Sequence, residues 1–261
     1  MFTTTNHRLE TIQNELGVIS NNITNTNTNG YKRTHDTLYL EENNLNVKQA
    51  FVEVADAIEF RKFKSIADVG CATGAFPRYL GIRFPDALIT GIEYLNSLIN
   101  KAKSDFPHIS FLKGDVLDKA SIEKKFDVIS MLGVLSIFDD YEVVLKNVLS
   151  WIKPKGRLIL HNMVSEYDID VFIKYSSSSN KFVSSQQESG WNIISEKSLE
   201  LVAKNNGAKI VFSKPFLLNL NLNKQADVMR SWTEENNLGH NDIFNALHIR
   251  QPQKIIVIEK F

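Results

Sequence analysis

Cysteine is nearly missing from this chain: Cys71 is the one example in 261 residues. An internal disulfide and a metal cage built from cysteine alone are therefore excluded. Net charge is missing too. Thirty basic and 30 acidic side chains cancel to a formal charge of zero at pH 7, so no global field draws the chain to nucleic acid or to an anionic membrane. No stretch reaches the roughly 18 apolar residues of a membrane span. The longest apolar run, Val128 to Phe138, covers 11 residues between Asp127 and Asp139. The first residues show no basic stretch followed by an apolar core, so a secretory signal is not expected and a cytoplasmic location is. No His/Asp/Glu group has ligand spacing, so no metal is expected. Internal repeats are absent.

What is present divides the chain near residue 45. Ten of the first 50 residues are Asn, five of them between Asn21 and Asn29. A run so rich in Asn and Thr buries little, and its side chains compete with the backbone for hydrogen bonds. Ahead of it, Leu9, Ile12, Leu16 and Ile19 recur at helical spacing from His7 to Ile19. Residues 1–45 are therefore read as an appendage and 46–261 as the folded body.

The body alternates strand and helix. Strands are expected at Ser65–Val69, Ala87–Ile92, Ile109–Lys113, Phe126–Leu132 and Arg157–His161. Helices are expected at Val47–Phe60, Ala75–Phe84, Asn96–Phe106 and Asp139–Ile152, the last burying Val143, Val144, Leu145, Val148 and Leu149. Pro85, Pro107 and Pro154 fall in the gaps. This rhythm predicts an α/β fold, a doubly wound parallel sheet with helices on both faces. It continues with a helix at Glu196–Asn206, a strand at Ala208–Leu218 broken or bulged at Pro215, and a terminal strand at Lys254–Glu259. Two irregular stretches, Asn162–Ile194 and Asn219–Gln253, interrupt it and are expected to set substrate selectivity.

The first strand runs into Asp68-Val69-Gly70-Cys71-Ala72-Thr73-Gly74, the place where doubly wound folds bind a cofactor. A dinucleotide loop needs glycine where Ala72 stands, and a carboxylate at Asp68 repels phosphate. No Gly-Lys-Ser/Thr follows, so this is no phosphate-cradling loop. Acidic residues end three successive strands: Asp68, Glu93 and Asp115. That arrangement suits a cationic ligand such as S-adenosylmethionine, with Glu93 accepting both ribose hydroxyls and Asp115 accepting from the adenine amino group.

Residues 60–162 resemble the core of class I S-adenosylmethionine-dependent methyltransferases. DVGCATG is similar to that family's glycine-rich motif, GIEYLNSLINKAK to its second-strand acidic motif, and GDV to its adenine motif. FDVISMLGVLSIFDD and WIKPKGRLIL are similar to its fourth- and fifth-strand motifs. Ser136 departs from the pattern, since many members have histidine there, and Lys155 replaces a turn glycine. The resemblance implies a seven-stranded sheet of order 3-2-1-4-5-7-6 with an antiparallel last strand. It also implies that Gly70, Ala72 and Gly74 let the backbone approach the methionine part, that Glu93 holds the ribose and that Tyr94 packs the adenine. Asp115 and Val116 would then frame the adenine edge, and Leu132 would line the pocket.

A hydroxyl acceptor would need a base. His161, at the end of the fifth strand, is the first candidate, with His240 and His248 behind it. Trp191, Trp232, Tyr167 and Tyr175 lie in the irregular stretches and could stack on a sugar or pin loops. Arg230-Ser231-Trp232 could bind a phosphate or carboxylate or form a surface ion pair.

Residues 18–33, VISNNITNTNTNGYKR, resemble a second family, the N-terminal motif of bacterial flagellar rod and hook proteins, departing at Thr24 where that family usually has alanine. The two resemblances together imply a cytoplasmic methyltransferase for a small-molecule or sugar/glycan acceptor, with flagellar proteins as partners and neither nucleic acid nor membrane. Two alternatives stay open: a catalytically inactive methyltransferase-like module serving flagellar assembly, and an NAD-dependent oxidoreductase.

Overall fold

A computed structural model describes residues 39–42, 45–58, 63–175, 188–227 and 229–261. The expected helix at His7–Ile19 and the flagellar-like residues 18–33 lie outside the described residues. A small hairpin, β1 (Tyr39–Glu42) with β2 (Leu45–Lys48), leads directly into helix α1 (Gln49–Ile58) and so straddles the expected boundary at residue 45.

The body is the expected α/β sandwich. Its strands are β3 (Ser65–Val69), β4 (Leu88–Glu93), β5 (Ser110–Lys113), β6 (Phe126–Leu132), β7 (Ile152–Ser165), β11 (Ala208–Pro215) and β14 (Gln253–Lys260). They stand in the order β11-β14-β7-β6-β3-β4-β5, with β14 antiparallel to both its neighbours. In chain order that is 3-2-1-4-5-7-6, the topology implied by the methyltransferase resemblance. An additional strand, β10 (Ile194–Ser195), extends the sheet beside the end of β7. Two hairpins, β8 (Lys174–Tyr175) with β9 (Glu188–Ser189) and β12 (Trp232–Glu235) with β13 (Asn241–Phe244), occupy the two irregular stretches.

Helices α2 (Ala75–Arg83) and α3 (Asn96–Asp105) follow β3 and β4, while α4 (Tyr141–Ser150) and α5 (Glu196–Asn205) follow β6 and β10. The central strands are buried on both faces, which is why β3 and β6 read as near-continuous apolar runs rather than alternating ones. On one face Val144, Leu145, Val148 and Leu149 of α4 pack with Leu158, Leu160 and Ile256 of the sheet. On the other, Phe76, Tyr79 and Leu80 of α2 pack with Val54 and Ile58 of α1 and with Ile66, Val128 and Ile159. Each fully buried aliphatic side chain contributes about 1.5–3 kcal/mol relative to exposure.

Of the local expectations, one is corrected. Val143 is 43% exposed rather than buried, because α4 starts at Tyr141 and the helical period carries Val143 past the apolar stripe. The strand expected to be broken or bulged at Pro215 ends there, closing an edge strand where the missing N–H costs nothing, and its register also shifts between Ile210 and Phe212. Lys155 holds φ at +61°, so the turn keeps the left-handed backbone that favours glycine without having one.

Candidate active site

The first strand-to-helix loop turns its N–H groups inward. Gly70 and Cys71 donate to the Ile92 carbonyl at 2.8 and 3.1 Å, and Gly74 donates to the Cys71 carbonyl at 2.9 Å. Ala72 donates to Oε2 of Glu93 at 3.0 Å. A loop that binds pyrophosphate points such donors at the ligand; here four of them are bonded to the protein itself. The arrangement does not fit a dinucleotide.

Glu93 is the centre of this network. Its Oε1 accepts from the N–H groups of Tyr94 and Leu95 at 2.9 and 3.0 Å, in addition to the Ala72 contact on Oε2. Of the roughly four acceptor positions on a carboxylate, three are thus filled by backbone. The expected two-handed grip on a ribose is reduced to one remaining position on Oε2. Burial pushes the Glu93 carboxyl above its usual range, against the pull of the three N–H donors.

A cavity of about 380 Å³ opens beside this loop, within the range of small-molecule sites. Gly70, Ala72, Glu93, Tyr94, Asp115, Val116 and Leu132 all line it, as expected. Asp115 stays half-buried at the end of β5, with Oδ1 accepting the Leu117 N–H at 2.9 Å. The Tyr94 ring carries the Lys113 ammonium 5.8 Å from its centroid.

Three expected residues lie elsewhere. Asp68 is buried beneath the loop, 4% exposed, where its Oδ1 accepts the Ser130 hydroxyl at 2.9 Å. Burial pushes its carboxyl up to about 8; the Ser130 bond opposes that rise and the Glu93 charge adds to it. Asp68 is therefore no exposed anion facing a ligand. Gly74 packs on the sheet: a Cβ there would stand 2.7 Å from Cζ of Phe111, and its φ is +83°. Close helix–strand contact explains this glycine. Gly70 does face the cavity, yet what its missing side chain makes room for is Val134, whose Cγ2 would lie 2.3 Å from a Cβ.

His161 is the third. It does not line the cavity; its ring meets that of Phe216 edge-on at 4.6 Å, and its buried Nε2 has no hydrogen-bond partner among the described residues. Burial pushes its pKa down to about 4, so the ring is neutral at physiological pH. The strand geometry explains the miss: Leu158 and Leu160 join one core, whereas Ile159 and His161 face the α1 side with Phe216. His240 and His248 are exposed, and among the described residues no histidine lines the cavity.

The far wall comes from the irregular stretches. Trp191, Leu222, Gln225, Met229, Arg230 and Ser231 line it, together with Ile137 and Phe138 after β6. Trp191 holds φ at +63°, a costly conformation for a bulky residue. Its neighbour Asn192 is fully buried, and the Asn192 N–H donates to the Ser136 carbonyl at 2.9 Å. The Asn192 side chain also donates to Oδ1 of Asp139 at 3.0 Å and accepts from the Ile173 N–H at 2.8 Å. Of the other aromatics, Trp232 is buried with its Nε1 donating to Oε1 of Glu234 at 2.9 Å, and Tyr167 is 69% exposed. Leu222, Gln225 and Met229 carry no sequence signal of their own, since their stretch has no periodicity.

Residues 39–251 match a family described as a methyltransferase domain. Among similar curated proteins, the malonyl-[acyl-carrier protein] O-methyltransferase of Priestia megaterium is 28% identical over 102 residues, covering 38% of this chain and 37% of that one. The trans-aconitate 2-methyltransferase of Escherichia coli is 29% identical over 107 residues, 41% of this chain and 42% of that one. The match thus spans less than half of either relative's length. Among solved structures, the mitomycin 7-O-methyltransferase shares the fold at a TM-score of 0.51 and 16% identity, over 81% of this chain and 54% of that one. Sheet order, inward-turned loop and family match agree, and the chain belongs to the methyltransferase domain family.

Proposed function

We propose that this protein transfers a methyl group from S-adenosylmethionine to a small-molecule acceptor. The inward-turned loop carries this reading: it leaves a cavity edged by the carboxylates of Glu93 and Asp115, with no nest of N–H donors for phosphate. The residues fit that cofactor. Glu93 offers its remaining Oε2 position to a ribose hydroxyl, and Tyr94 and Val116 flank the adenine. Asp115 accepts at the adenine edge, and Gly70, Ala72 and Leu132 bound the space where the methionine part would lie. Bound S-adenosylmethionine supplies an electrophilic methyl group on a cationic sulfur. The protein's task is then alignment: it holds donor and acceptor in line and keeps water out, an effect that reaches several kcal/mol of barrier. The names of the curated relatives, a malonyl-[acyl-carrier protein] O-methyltransferase and a trans-aconitate 2-methyltransferase, support a small-molecule acceptor. Calorimetry with S-adenosylhomocysteine tests the cofactor assignment, and transfer of labelled methyl into a fractionated extract tests turnover. Binding without transfer would favour the inactive-module alternative.

A finer reading, of a cytoplasmic enzyme acting on a glycan for flagellin or docked to flagellar components, is supported by the resemblance of residues 18–33 to rod and hook proteins. Deleting residues 1–38 should then leave cofactor binding intact and abolish co-purification with flagellar proteins. Unchanged co-purification would contradict it.

A further inference from the structure

We propose that Trp191 is the acceptor-binding residue of the cavity, and that the acceptor presents a planar, apolar face to its indole. The proposal rests on the methyltransferase reading and names the acceptor class for the same cavity.

Both flanks of Trp191 are tied to one carboxylate. On the N-terminal side the Ser189 hydroxyl donates to Oδ2 of Asp139 at 3.2 Å. On the C-terminal side the Asn192 amide donates to Oδ1 of Asp139 at 3.0 Å. The Lys174 ammonium pairs with the same carboxylate and reaches the Ser189 hydroxyl across the β8–β9 pair. The Asn192 backbone N–H bonds the Ser136 carbonyl, and its side-chain oxygen accepts the Ile173 N–H. Asp139 directly follows Ile137 and Phe138, which line the same cavity as Trp191. The indole and those two side chains are therefore fixed to one piece of backbone.

The backbone at Trp191 is the second observation. Its φ of +63° lies in the left-handed region, which glycine adopts freely and a bulky residue does not. The neighbouring Gly190 does not take that conformation; the tryptophan does. Strain of this kind persists where the surrounding structure over-determines it, and it gathers at ligand-binding walls. The indole is half-buried and lines the cavity, so its ring is part packed and part open to a ligand. Ile137, Phe138, Leu222 and Met229 add apolar surface to the cavity, and the segment 225–231 adds polar groups, Arg230 among them. An indole face among aliphatic, aromatic and thioether groups favours an offset-stacked ring over a glycan.

The probes are 2-naphthol and its saturated, non-planar counterpart decahydro-2-naphthol, titrated by ligand-observed NMR into the full chain loaded with S-adenosylhomocysteine. 2-Naphthol should bind roughly three- to tenfold more tightly, the range of an aromatic pair beyond its buried area. Trp191→Leu keeps apolar bulk and loses the ring, so it should bring the two affinities together. Trp191→Phe should keep most of the preference, and calorimetric affinity for S-adenosylhomocysteine should be unchanged in both variants. Equal binding of the two probes by the wild type, binding of neither, a preference that survives Trp191→Leu, or tighter binding of methyl β-glucoside than of 2-naphthol overturns the proposal. So does a loss of S-adenosylhomocysteine affinity in Trp191→Leu, which would put the indole on the cofactor. Failure of the wild-type chain to bind S-adenosylhomocysteine overturns the methyltransferase reading instead. The strained placement has its own arm in urea unfolding. Trp191→Gly should be more stable than Trp191→Ala, since both lack the indole and only glycine takes this backbone freely. The reverse order would overturn the strained placement and the proposal with it.

Discussion

The Glu93 carboxylate and the Ala72 N–H, 21 residues apart in sequence, meet at 3.0 Å and lock the glycine-rich loop to the end of the second core strand. The cavity wall and its anionic edge are therefore one construction. Glu93→Gln keeps the size but turns an amide N–H₂ toward the Ala72 donor or gives up an acceptor for Tyr94 and Leu95. Each buried donor left unsatisfied costs about 1–3 kcal/mol. The variant should bind S-adenosylhomocysteine roughly ten- to hundred-fold more weakly in calorimetry and unfold at lower temperature. Wild-type affinity in Glu93→Gln would contradict the coupling.

Asp68 makes stability depend on pH. Its carboxyl titrates near 4 when unfolded and at about 8 when folded. Between those values the folded protein keeps a proton that the unfolded chain has released, so stability falls as pH rises through this window. Asp68→Asn cannot ionise, and its amide oxygen can still accept from Ser130. In urea unfolding the variant should gain on the wild type as pH rises from 4 to 8. A variant that loses ground toward pH 8 would show that Asp68 is ionised and stabilising in the fold.

His161 acts in the opposite sense. The unfolded chain takes up a proton near pH 6.5, whereas the folded imidazole resists until about 4. Its contribution is intact above pH 6.5 and is lost as pH falls through that window. His161→Leu should reduce the acid sensitivity of unfolding between pH 6.5 and 4 and leave methyl transfer near the wild-type rate. A rate loss of roughly 10²-fold or more, the contribution of a general base, would return His161 to the chemistry.

The elements and their order were legible because buried parallel strands and their covering helices write two different periods into the sequence. Ser65–Val69 and Phe126–Leu132 fall where the apolar runs put them. Glu93, Asp115 and Ala72 were legible as positions at strand ends. What each does was less so. Asp68 and Glu93 are both carboxylic side chains at strand ends, yet one is buried under the loop and the other is wrapped by backbone donors. Sequence places a side chain at a strand end but does not say which donors turn toward it. The far wall was legible only in part: Trp191 and Arg230-Ser231-Trp232 stood out, whereas Leu222, Gln225 and Met229 did not. It is built from segments without periodicity and acquires its shape from long-range anchors such as Asn192 on Ser136 and Asp139.

Two glycines separate backbone strain from crowding. Gly133 has φ +72° with open space where a Cβ would stand, whereas Gly74 has φ +83° with Phe111 at 2.7 Å. Gly133→Ala should cost about 1–2 kcal/mol, the left-handed penalty alone. Gly74→Ala should add an overpacking cost of about 1–3 kcal/mol. Equal losses in chemical denaturation would show that Phe111 yields freely.

The most direct measurement is a calorimetric titration of the full chain with S-adenosylmethionine and, separately, with NAD. One-site binding of S-adenosylmethionine, weakened by Glu93→Gln, with no heat from NAD, is the expected result. Binding of NAD, or no binding of S-adenosylmethionine by the wild-type chain, would contradict the assignment of the cavity.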